Sequence, residues 1–494
     1  MLFRASAVSF SLLALPLTQV VLANPLVHAA RDNSAAAVNT TTCNGKKYVY
    51  EGLAGYGKLA SDARDKFGDT IGGIGSSIAL DKSAWKKSKD KKGVYSGIIW
   101  GLPDRGWNTE GTQNTQTRIH KFGFTFEVVD ATVKKPAKPN FDLTYLDTLL
   151  LTGPDGTPLT GLDPTTTVNY TGFPTLPLAK YTGDGFGGSG PGGSRVPLDT
   201  EGLVIALDGT YWISDEYAAY VYQFSPTGRM ISAIRTPDAF IPLRNGTTSF
   251  SAASPPIYDQ NYTINPELPS TGRNNNQGLE ALTRSPDGKF LYTMLQSATV
   301  QDGGSKSKNR RNTRFLTYRI KDGGKKVELE AEYAVQLPVL STGKIAAQSE
   351  MHYISPTQFL VLARDSGAGH GQDDSESIYR NADVIDISNA TNVKGTKADA
   401  FGGQIASSSG VLNADITPAT YCPWLSFNVN AELGKFGLHN GGEQDEWLLN
   451  EKWESFALLP VNEGDGDEYF LISFSDNDFI TQNGKSYDFL WWIS

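Results

Sequence analysis

The sequence predicts an all-β fold, a β-propeller of about six blades (five to seven) with long loop insertions. Three observations predict it: strand–turn–strand units recur, Asp-Gly or Gly-rich turns join β-rich runs, and Gly and aromatic residues are abundant, with 51 Gly and 23 Phe. Many short strands joined by tight turns have this composition, and radial repetition leaves an all-β chain with only short sheet edges. We therefore expect one large β domain over residues 46–494.

The clearest unit is a hairpin that begins at Glu201 and returns at Glu216. Two β-rich runs flank Asp208-Gly209, and Asp-Gly between such runs is a strong hairpin signal. A turn centred on this dipeptide pairs residues whose numbers sum to 417. Glu201 is therefore expected opposite Glu216, with Asp215 beside it.

The same construction recurs with a leading glutamate at Glu280, Glu350 and Glu454. An earlier run, 75–80, echoes the first hairpin without the glutamate, and one more blade is expected between 380 and 425. Together these units account for about six blades. Pro/Gly/Thr-rich stretches between the units are expected to be surface loops: they lie near 133–197 and 241–276.

Equivalent ends of the inner strands of a propeller meet around its axis, so the polar residues at these ends are expected to converge on one mouth. Carboxylates within a few Å raise each other's pKa, so such a cluster needs calcium or basic side chains. Arg105, Arg364 and Lys452 are the basic candidates. A repeated glutamate can instead brace one blade against the next, and residues that break the repeat are the stronger candidates for chemistry.

The N-terminus predicts export. Arg4 precedes an apolar run, 10–22, that ends in small residues, which is typical of a signal peptide over 1–23. The alternative, a membrane anchor, is disfavoured because a spanning helix needs about 18 apolar residues or more. Residues 24–45 are expected to be a flexible leader, and the mature protein is expected to be extracellular, without a membrane partner.

The two cysteines, Cys43 and Cys422, are expected to form a disulfide in an oxidising compartment, with a free buried thiol pair as the alternative. Five Asn-X-Ser/Thr sequences agree with export and predict exposed glycosylation sites. Their asparagines are Asn39, Asn169, Asn245, Asn261 and Asn389.

The charge balance argues against a nucleic-acid partner. The formal net charge is −9, whereas phosphate backbones select basic protein faces. We expect a monomer whose partner is a small-molecule ester or phosphoester substrate.

Several ordered motifs resemble one known family. The match covers about residues 65–490, and the motifs resemble those of the phytase-like family, also described by the esterase-like activity of phytase. The resemblance implies a propeller-type β fold and hydrolysis of phosphomonoesters or simple esters, whereas no Gly-X-Ser-X-Gly elbow of an α/β-hydrolase occurs. The motifs are Asp104-Arg105-Gly106, Thr200-Glu201-Gly202-Leu203, Ser214-Asp215-Glu216, Asn276 to Leu282 and Ser475 to Phe479.

The leading hypothesis from these residues is calcium-assisted hydrolysis of a small ester or phosphoester, with arginines clamping the substrate anion. A calcium-dependent lactonase and a non-catalytic propeller that binds carbohydrate through Trp107, Tyr211, Trp212 or Tyr217 are the alternatives, beside a scaffold with a degenerate site. The expected catalytic residues are Asp104, Arg105, Glu201, Glu280 and Arg364. The expected calcium ligands are Asp215, Glu216, Asp365, Glu454, Asp476 and Asp478.

Overall fold

A computed structural model describes residues 37–60, 62–107, 111–324, 326–464, 466–479 and, as backbone, 491–493. The predicted signal peptide lies outside these residues. The folded unit begins at Val38, inside the leader expected over 24–45. It begins there because β1 (Asn39–Cys43) pairs with β2 (Lys46–Tyr50) in an antiparallel hairpin, so the end of the leader is part of the fold.

Five larger antiparallel sheets follow one another along the described chain. Sheet 1 contains β3 (Ser77–Lys87), β4 (Val94–Leu102), β5 (Arg118–Glu127) and β6 (Phe141–Leu150), followed by a small sheet of β7 (Thr166–Val168), β8 (Leu176–Tyr181) and β9 (Gly193–Arg195). Sheet 2 contains β10 (Thr200–Ile205), β11 (Tyr211–Asp215), β12 (Val221–Phe224) and β13 (Met230–Ile234), followed by a hairpin of β14 (Leu243–Arg244) and β15 (Thr247–Thr248).

Sheet 3 contains β16 (Leu279–Arg284), β17 (Phe290–Leu295), β18 (Asn312–Lys321) and β19 (Lys326–Gln336). Sheet 4 contains β20 (Ala347–Tyr353), β21 (Gln358–Arg364), β22 (Arg380–Asp386) and β23 (Thr420–Ser426). Sheet 5 is built on β26 (Tyr469–Asp476), which pairs with β24 (Lys452–Trp453), β25 (Ala457–Pro460) and β27 (Trp491–Ile493). A single turn of α-helix, α1 (Asn430–Leu433), precedes sheet 5. Within the described residues, no helix combines the length and apolar character needed to cross a bilayer.

The core lies between neighbouring sheets, and each of five hydrophobic clusters draws on two of them. One cluster joins sheet 5 to sheet 1, and the others join consecutive sheets. Aromatic pairs mark these contacts, such as Tyr292 with Phe359 at 4.8 Å between ring centroids and Phe126 with Phe470 at 4.9 Å. The arrangement is a propeller-like β fold, as the sequence predicts.

The prediction of a separate blade between 380 and 425 is wrong. Val384 lies in β22, where it pairs with Leu360 of β21 and Cys422 of β23, so this segment completes sheet 4. Long connections before and after β22 give the segment the appearance of a separate unit in the sequence. The insertions also carry structure, because β6 to β9 lie within 133–197 and β14 and β15 lie within 241–276.

The register of the first hairpin differs from the expected one by a residue. Leu203 pairs with Ile213, a sum of 416 rather than 417. The turn has three residues, Leu207 to Gly209, and Gly209 adopts a φ of 81°, as a three-residue hairpin loop requires. The register then shifts at a β-bulge between Thr200 and Leu203, so Glu201 does not pair with Glu216.

The disulfide is confirmed. Cys43 is bonded to Cys422, with 5.8 Å between their Cα atoms, and it ties β1 to β23 of sheet 4. All five asparagines of the glycosylation sequences are exposed, and their glycosylation stays a prediction.

Candidate functional site

Acidic side chains from the ends of several strands come together at one end of the fold, here called the acidic mouth. They lie after β4, around the β10–β11 hairpin, in β16, between β24 and β25, and at the end of β26. Three basic side chains lie among them. The members are Asp104, Asp199, Glu201, Glu216, Glu280, Glu454, Asp476 and Asp478, with Arg105, Arg364 and Lys452.

One half of the mouth is organised around Lys452, and we call it the lysine cluster. The Nζ atom lies 2.6 Å from Asp476 Oδ2 and 2.7 Å from Asp478 Oδ1. It also lies 3.6 Å from Glu454 Oε1 and 3.9 Å from Asp104 Oδ2. Four carboxylates therefore share one ammonium group.

The other half is the glutamate cluster of Asp199, Glu201 and Glu216, each of which offers a carboxylate oxygen within 4.8 Å of the other two. Glu280 lies beside it, and its Oε2 atom is buried without a hydrogen-bond partner among the described residues. Gln296 Nε2 donates to Oε1 of both Glu280 and Glu216, the latter over 3.4 Å. The amide therefore orients two carboxylates of this half.

Arg105 is the cation nearest to the glutamate cluster. Its Nη1 atom lies 3.3 Å from Asp199 Oδ2, and its backbone N–H donates to Asp199 Oδ1 over 3.1 Å. The guanidinium faces the ring of Tyr217 at 5.9 Å. Its Nε and Nη1 atoms are buried and donate no hydrogen bond to the described residues. The group thus keeps donor capacity that a bound anion can use.

Arg364 is committed to the protein instead. It forms an ion pair with Glu454, and its Nε atom donates to Ser349 Oγ over 3.1 Å. The expected substrate clamp at this position is therefore better described as a partner that neutralises Glu454.

Burial controls the protonation of the mouth. It raises the pKa of Glu201 and of Glu280 well above the ordinary range, and neighbouring carboxylates add to the effect. Burial and Asp199 also raise the pKa of Glu216, to about 8, and burial raises the pKa of Asp476 to about 7. Asp478 differs from these groups. Burial acts to raise its pKa, but the neighbouring ammonium group of Lys452 lowers it, and the net shift is downward. The glutamate cluster therefore holds protons or a cation at neutral pH.

Local backbone features place these side chains. The leading glutamates Glu201 and Glu280 lie at register shifts of β10 and β16, and Glu454 lies in the break between β24 and β25. A β-bulge re-aims a side chain at the end of a strand pair. At the end of β26, Asp478 and Phe479 both adopt left-handed conformations, with φ of 51° and 52°. Strain of this kind is concentrated at functional sites.

Glycines in the motifs permit close backbone approach. A Cβ atom on Gly278 would lie 2.2 Å from the carbonyl oxygen of Glu216, and one on Gly202 would lie 2.4 Å from Leu282 Cβ. No side chain fits at either position, so these glycines let β10, β16 and the Glu216 turn pack together around the mouth.

Most of the expected site residues meet at the mouth, but Asp215 and Asp365 are used differently. Asp215 accepts hydrogen bonds from the N–H groups of Asp199 and Ala218, over 2.9 and 2.7 Å. Asp365 accepts them from Ser377 Oγ and the Ile378 N–H, over 2.6 and 2.7 Å. Both carboxylates brace turns, and neither belongs to the two groups that can hold a metal ion.

Asp199 is the site residue that the sequence reasoning missed. It stands two positions before Glu201 and directly before β10, whereas the predicted repeat begins at Glu201. An acidic residue directly before the Thr200-Glu201-Gly202 motif was the available signal.

The donor set of the glutamate cluster fits a hard cation. All its ligand atoms are carboxylate oxygens, and calcium binds six to eight oxygen ligands at about 2.3–2.6 Å. No nitrogen or sulfur ligand of the kind that zinc prefers belongs to either group of the described residues.

A family match covers the segment that builds this mouth. Residues 95–479 match the phytase-like family, described as the esterase-like activity of phytase. This chain belongs to the phytase-like family. A relative from Arthroderma benhamiae, an uncharacterized secreted protein, is 52% identical over 482 residues, with 94% of this chain and 93% of the relative covered. This phytase-like protein is secreted, as its N-terminal segment predicts.

Two solved structures show weaker similarity to the phytase-like chain. A putative 6-phosphogluconolactonase from Bacteroides uniformis is 12% identical, with 84% and 83% of the two chains covered and a TM-score of 0.27. A gluconolactonase from Xanthomonas campestris is 8% identical, with 84% and 96% covered and a TM-score of 0.23. At these values the likeness says nothing about the activity of this phytase-like protein.

Proposed function

We propose that this secreted phytase-like protein is a hydrolase that cleaves small phosphomonoesters or simple esters at the acidic mouth, with calcium as its cofactor. The observation that carries the proposal is the pairing of a carboxylate cluster that lacks an ammonium partner with Arg105. The Nε atom of Arg105 donates no hydrogen bond to the described residues, and its Nη1 atom is engaged only by the ion pair with Asp199. The first feature suits a divalent cation, and the second suits the anionic oxygen of a substrate.

Calcium bound at the mouth would neutralise the carboxylates and act as a Lewis acid toward the substrate oxygen. Arg105 would bind the same anion from the side of Asp199, which holds the guanidinium in place. Asp476 is suited to accept and return a proton, because its pKa of about 7 lies near neutral pH. Lys452 holds the Asp476 carboxylate through Oδ2 and leaves Oδ1 without a hydrogen bond from the described residues.

The low solvent exposure of the mouth favours small substrates. The other acidic and basic members are almost entirely buried, whereas the side chains of Lys452 and Asp478 are each 19% exposed. A substrate therefore approaches past Lys452 and Asp478. A single phosphomonoester, a simple ester or a lactone suits this entrance better than a large polyanion does.

The carbohydrate-binding alternative has little support. Trp107, Tyr211, Trp212 and Tyr217 are all buried, so their rings are not available to stack on a sugar. The rings pack within the protein instead, as aromatic residues of sheet faces commonly do.

We also propose that the five larger sheets are the blades of a closed five-bladed propeller. The support is that sheet 5 shares a hydrophobic cluster with sheet 1, just as the consecutive sheets share theirs.

We further propose that the protein acts as a glycosylated monomer without a nucleic-acid or membrane partner. Its net charge of −9 supports the absence of a nucleic-acid partner.

The test is release of phosphate from p-nitrophenyl phosphate and from inositol hexakisphosphate, beside cleavage of a p-nitrophenyl ester and a sugar lactone. Each assay is run with calcium and with excess chelator. We expect calcium-dependent turnover of one of the small substrates, and a loss of about 10²-fold or more in Arg105→Ala, since removal of one stabilising donor has an effect of this size.

Asp365→Asn is the matched control, because Asp365 braces a turn outside the mouth. It should leave turnover close to that of the wild-type protein. Absence of turnover on all four substrates, in a protein whose circular dichroism shows an intact β fold, would contradict the proposed hydrolase.

A further inference from the structure

We propose that the acidic mouth binds one divalent cation rather than two. Its ligands are Asp199, Glu201 and Glu216 with Glu280, and the ammonium group of Lys452 occupies the corresponding position among the other carboxylates. This inference refines the proposed hydrolase by assigning the metal to one half of its site. Of the ligands expected from the sequence it keeps only Glu216, and it moves the metal away from Asp215, Asp365, Glu454, Asp476 and Asp478.

The lysine cluster already contains its cation. Four carboxylates surround Lys452 Nζ, two of them at 2.6 and 2.7 Å, so the ammonium sits where a metal ion would otherwise gather the same oxygens. A second divalent ion in this half would meet a fixed positive charge at contact distance. Arg364, paired with Glu454, adds to that charge.

In the described part of the chain, the glutamate cluster has no ammonium group among its carboxylates, and its cation, Arg105, lies beside Asp199. Among the described residues, no lysine forms an ion pair with Asp199, Glu201 or Glu216. Arg105 forms an ion pair with Asp199 only. Glu201 is 6% exposed, and no lysine or arginine forms an ion pair with it among the described residues. Carboxylates buried in this way are paired, protonated or bound to a metal.

Glu280 gives a second, independent observation. The residue is 3% exposed, and its Oε2 atom has no partner in the described part of the chain. Gln296 holds Oε1 of Glu280 and Oε1 of Glu216 through a single amide, which leaves the second oxygen of each carboxylate for another ligand. Amides that orient ligating carboxylates in this way are typical outer-shell groups of metal sites.

The experiment is a calcium titration by isothermal calorimetry on the secreted protein after treatment with chelator. We expect one equivalent bound by the wild-type protein. Glu201→Gln and Glu280→Gln should each weaken binding about 10-fold or more, because even outer-shell changes cost 10–100-fold in affinity. Asp365→Asn should bind calcium as the wild-type protein does.

Lys452→Gln tests the second half of the inference. The variant removes the ammonium and leaves four carboxylates together, so we expect it to bind a second equivalent of calcium. A wild-type protein that binds two equivalents would overturn the single site. A Glu201→Gln variant that binds calcium normally would overturn Glu201 as a ligand, and a Lys452→Gln variant that still binds one ion would overturn the role given to the ammonium group. Thermal unfolding of every variant establishes that it is folded.

The calorimetric result is separate from the activity. Calcium bound with the expected stoichiometry but no turnover would contradict the hydrolase and leave the metal site in place. Turnover that persists in chelator, with no calcium bound, would overturn the metal site and leave a hydrolase that works without it.

Discussion

The hydroxyl group of Ser77 in β3 donates a hydrogen bond of 2.8 Å to Oε2 of Glu350 in β20, so sheet 1 and sheet 4 are joined directly. The same hydroxyl accepts from the N–H of Leu203 in β10, and Oε1 of Glu350 accepts from the N–H of Leu282 in β16. One serine and one glutamate therefore connect the first strands of four sheets. Glu350, which repeats the leading position of Glu201 and Glu280, is a brace rather than part of the mouth.

Ser77→Ala should lower the free energy of unfolding by about 1–3 kcal/mol, because it leaves a buried carboxylate oxygen and the Leu203 N–H without a partner. Urea unfolding followed by tryptophan fluorescence measures the change. Ser83→Ala is the matched control, since its hydroxyl contacts only Asp81 at the exposed surface. If Ser77→Ala lowers the free energy of unfolding no more than Ser83→Ala does, the bracing role of Ser77 is contradicted.

The stability of the calcium-free protein should fall as pH rises from about 5 to about 8. Burial raises the pKa of Glu350 to about 8 and that of Glu332 to about 7, whereas both groups ionise near 4.5 in the unfolded chain. The folded state therefore keeps protons that the unfolded state has already released, and the stabilisation is lost as pH passes the folded-state pKa.

Urea midpoints at pH 5, 6.5 and 8 in excess chelator measure this dependence. Glu350→Gln removes one of the groups with a raised pKa, so the fall between pH 5 and pH 8 should become shallower in that variant. Stability that rises with pH over the same range would contradict the raised pKa values.

Removal of the disulfide should destabilise the fold by about 2–5 kcal/mol, because Cys43 and Cys422 are 379 positions apart and the bond restricts most of the unfolded chain. The double variant Cys43→Ser with Cys422→Ser tests this by urea unfolding. The N-terminal hairpin should remain docked, since Gln358 Nε2 donates to the carbonyl of Cys43 and Gln358 Oε1 accepts from Tyr48. Rapid proteolysis within residues 38–50 of the folded double variant would show that the bond alone holds the hairpin.

The sequence predicts the meeting of Glu201, Glu280, Glu454 and Asp476 because a repeated strand start carries each side chain to the same end of its sheet. It does not predict which of them share a cation. That depends on the bulges at the leading glutamates, and a shift of one residue in a strand register reverses the face of every side chain. The three-residue turn after Ala206 introduced such a shift in the first hairpin.

The same limit explains Asp215 and Asp199. Asp215 ends β11 and turns its oxygens toward the N–H groups of the following turn, whereas Asp199 precedes β10 and reaches the cluster from outside the repeat. Side chains in irregular backbone do not follow the period of the strands, so periodicity could not assign either of them.

Gly278→Ala should disturb both stability and calcium binding. Its Cβ atom would lie 2.2 Å from the carbonyl oxygen of Glu216 and 2.4 Å from the Glu216 Cα, so the backbone must move, at a cost of about 1–3 kcal/mol or more. The movement separates Glu216 from Glu280, whose carboxylates share Gln296. Gly123→Ala in β5 is the matched control, since its nearest contact is Leu146 Cδ1 at an ordinary 3.7 Å. Urea unfolding and calcium calorimetry on both variants measure the effects. A Gly278→Ala protein as stable as Gly123→Ala, with unchanged calcium affinity, would show that the Glu216 turn is not packed against β16 in this way.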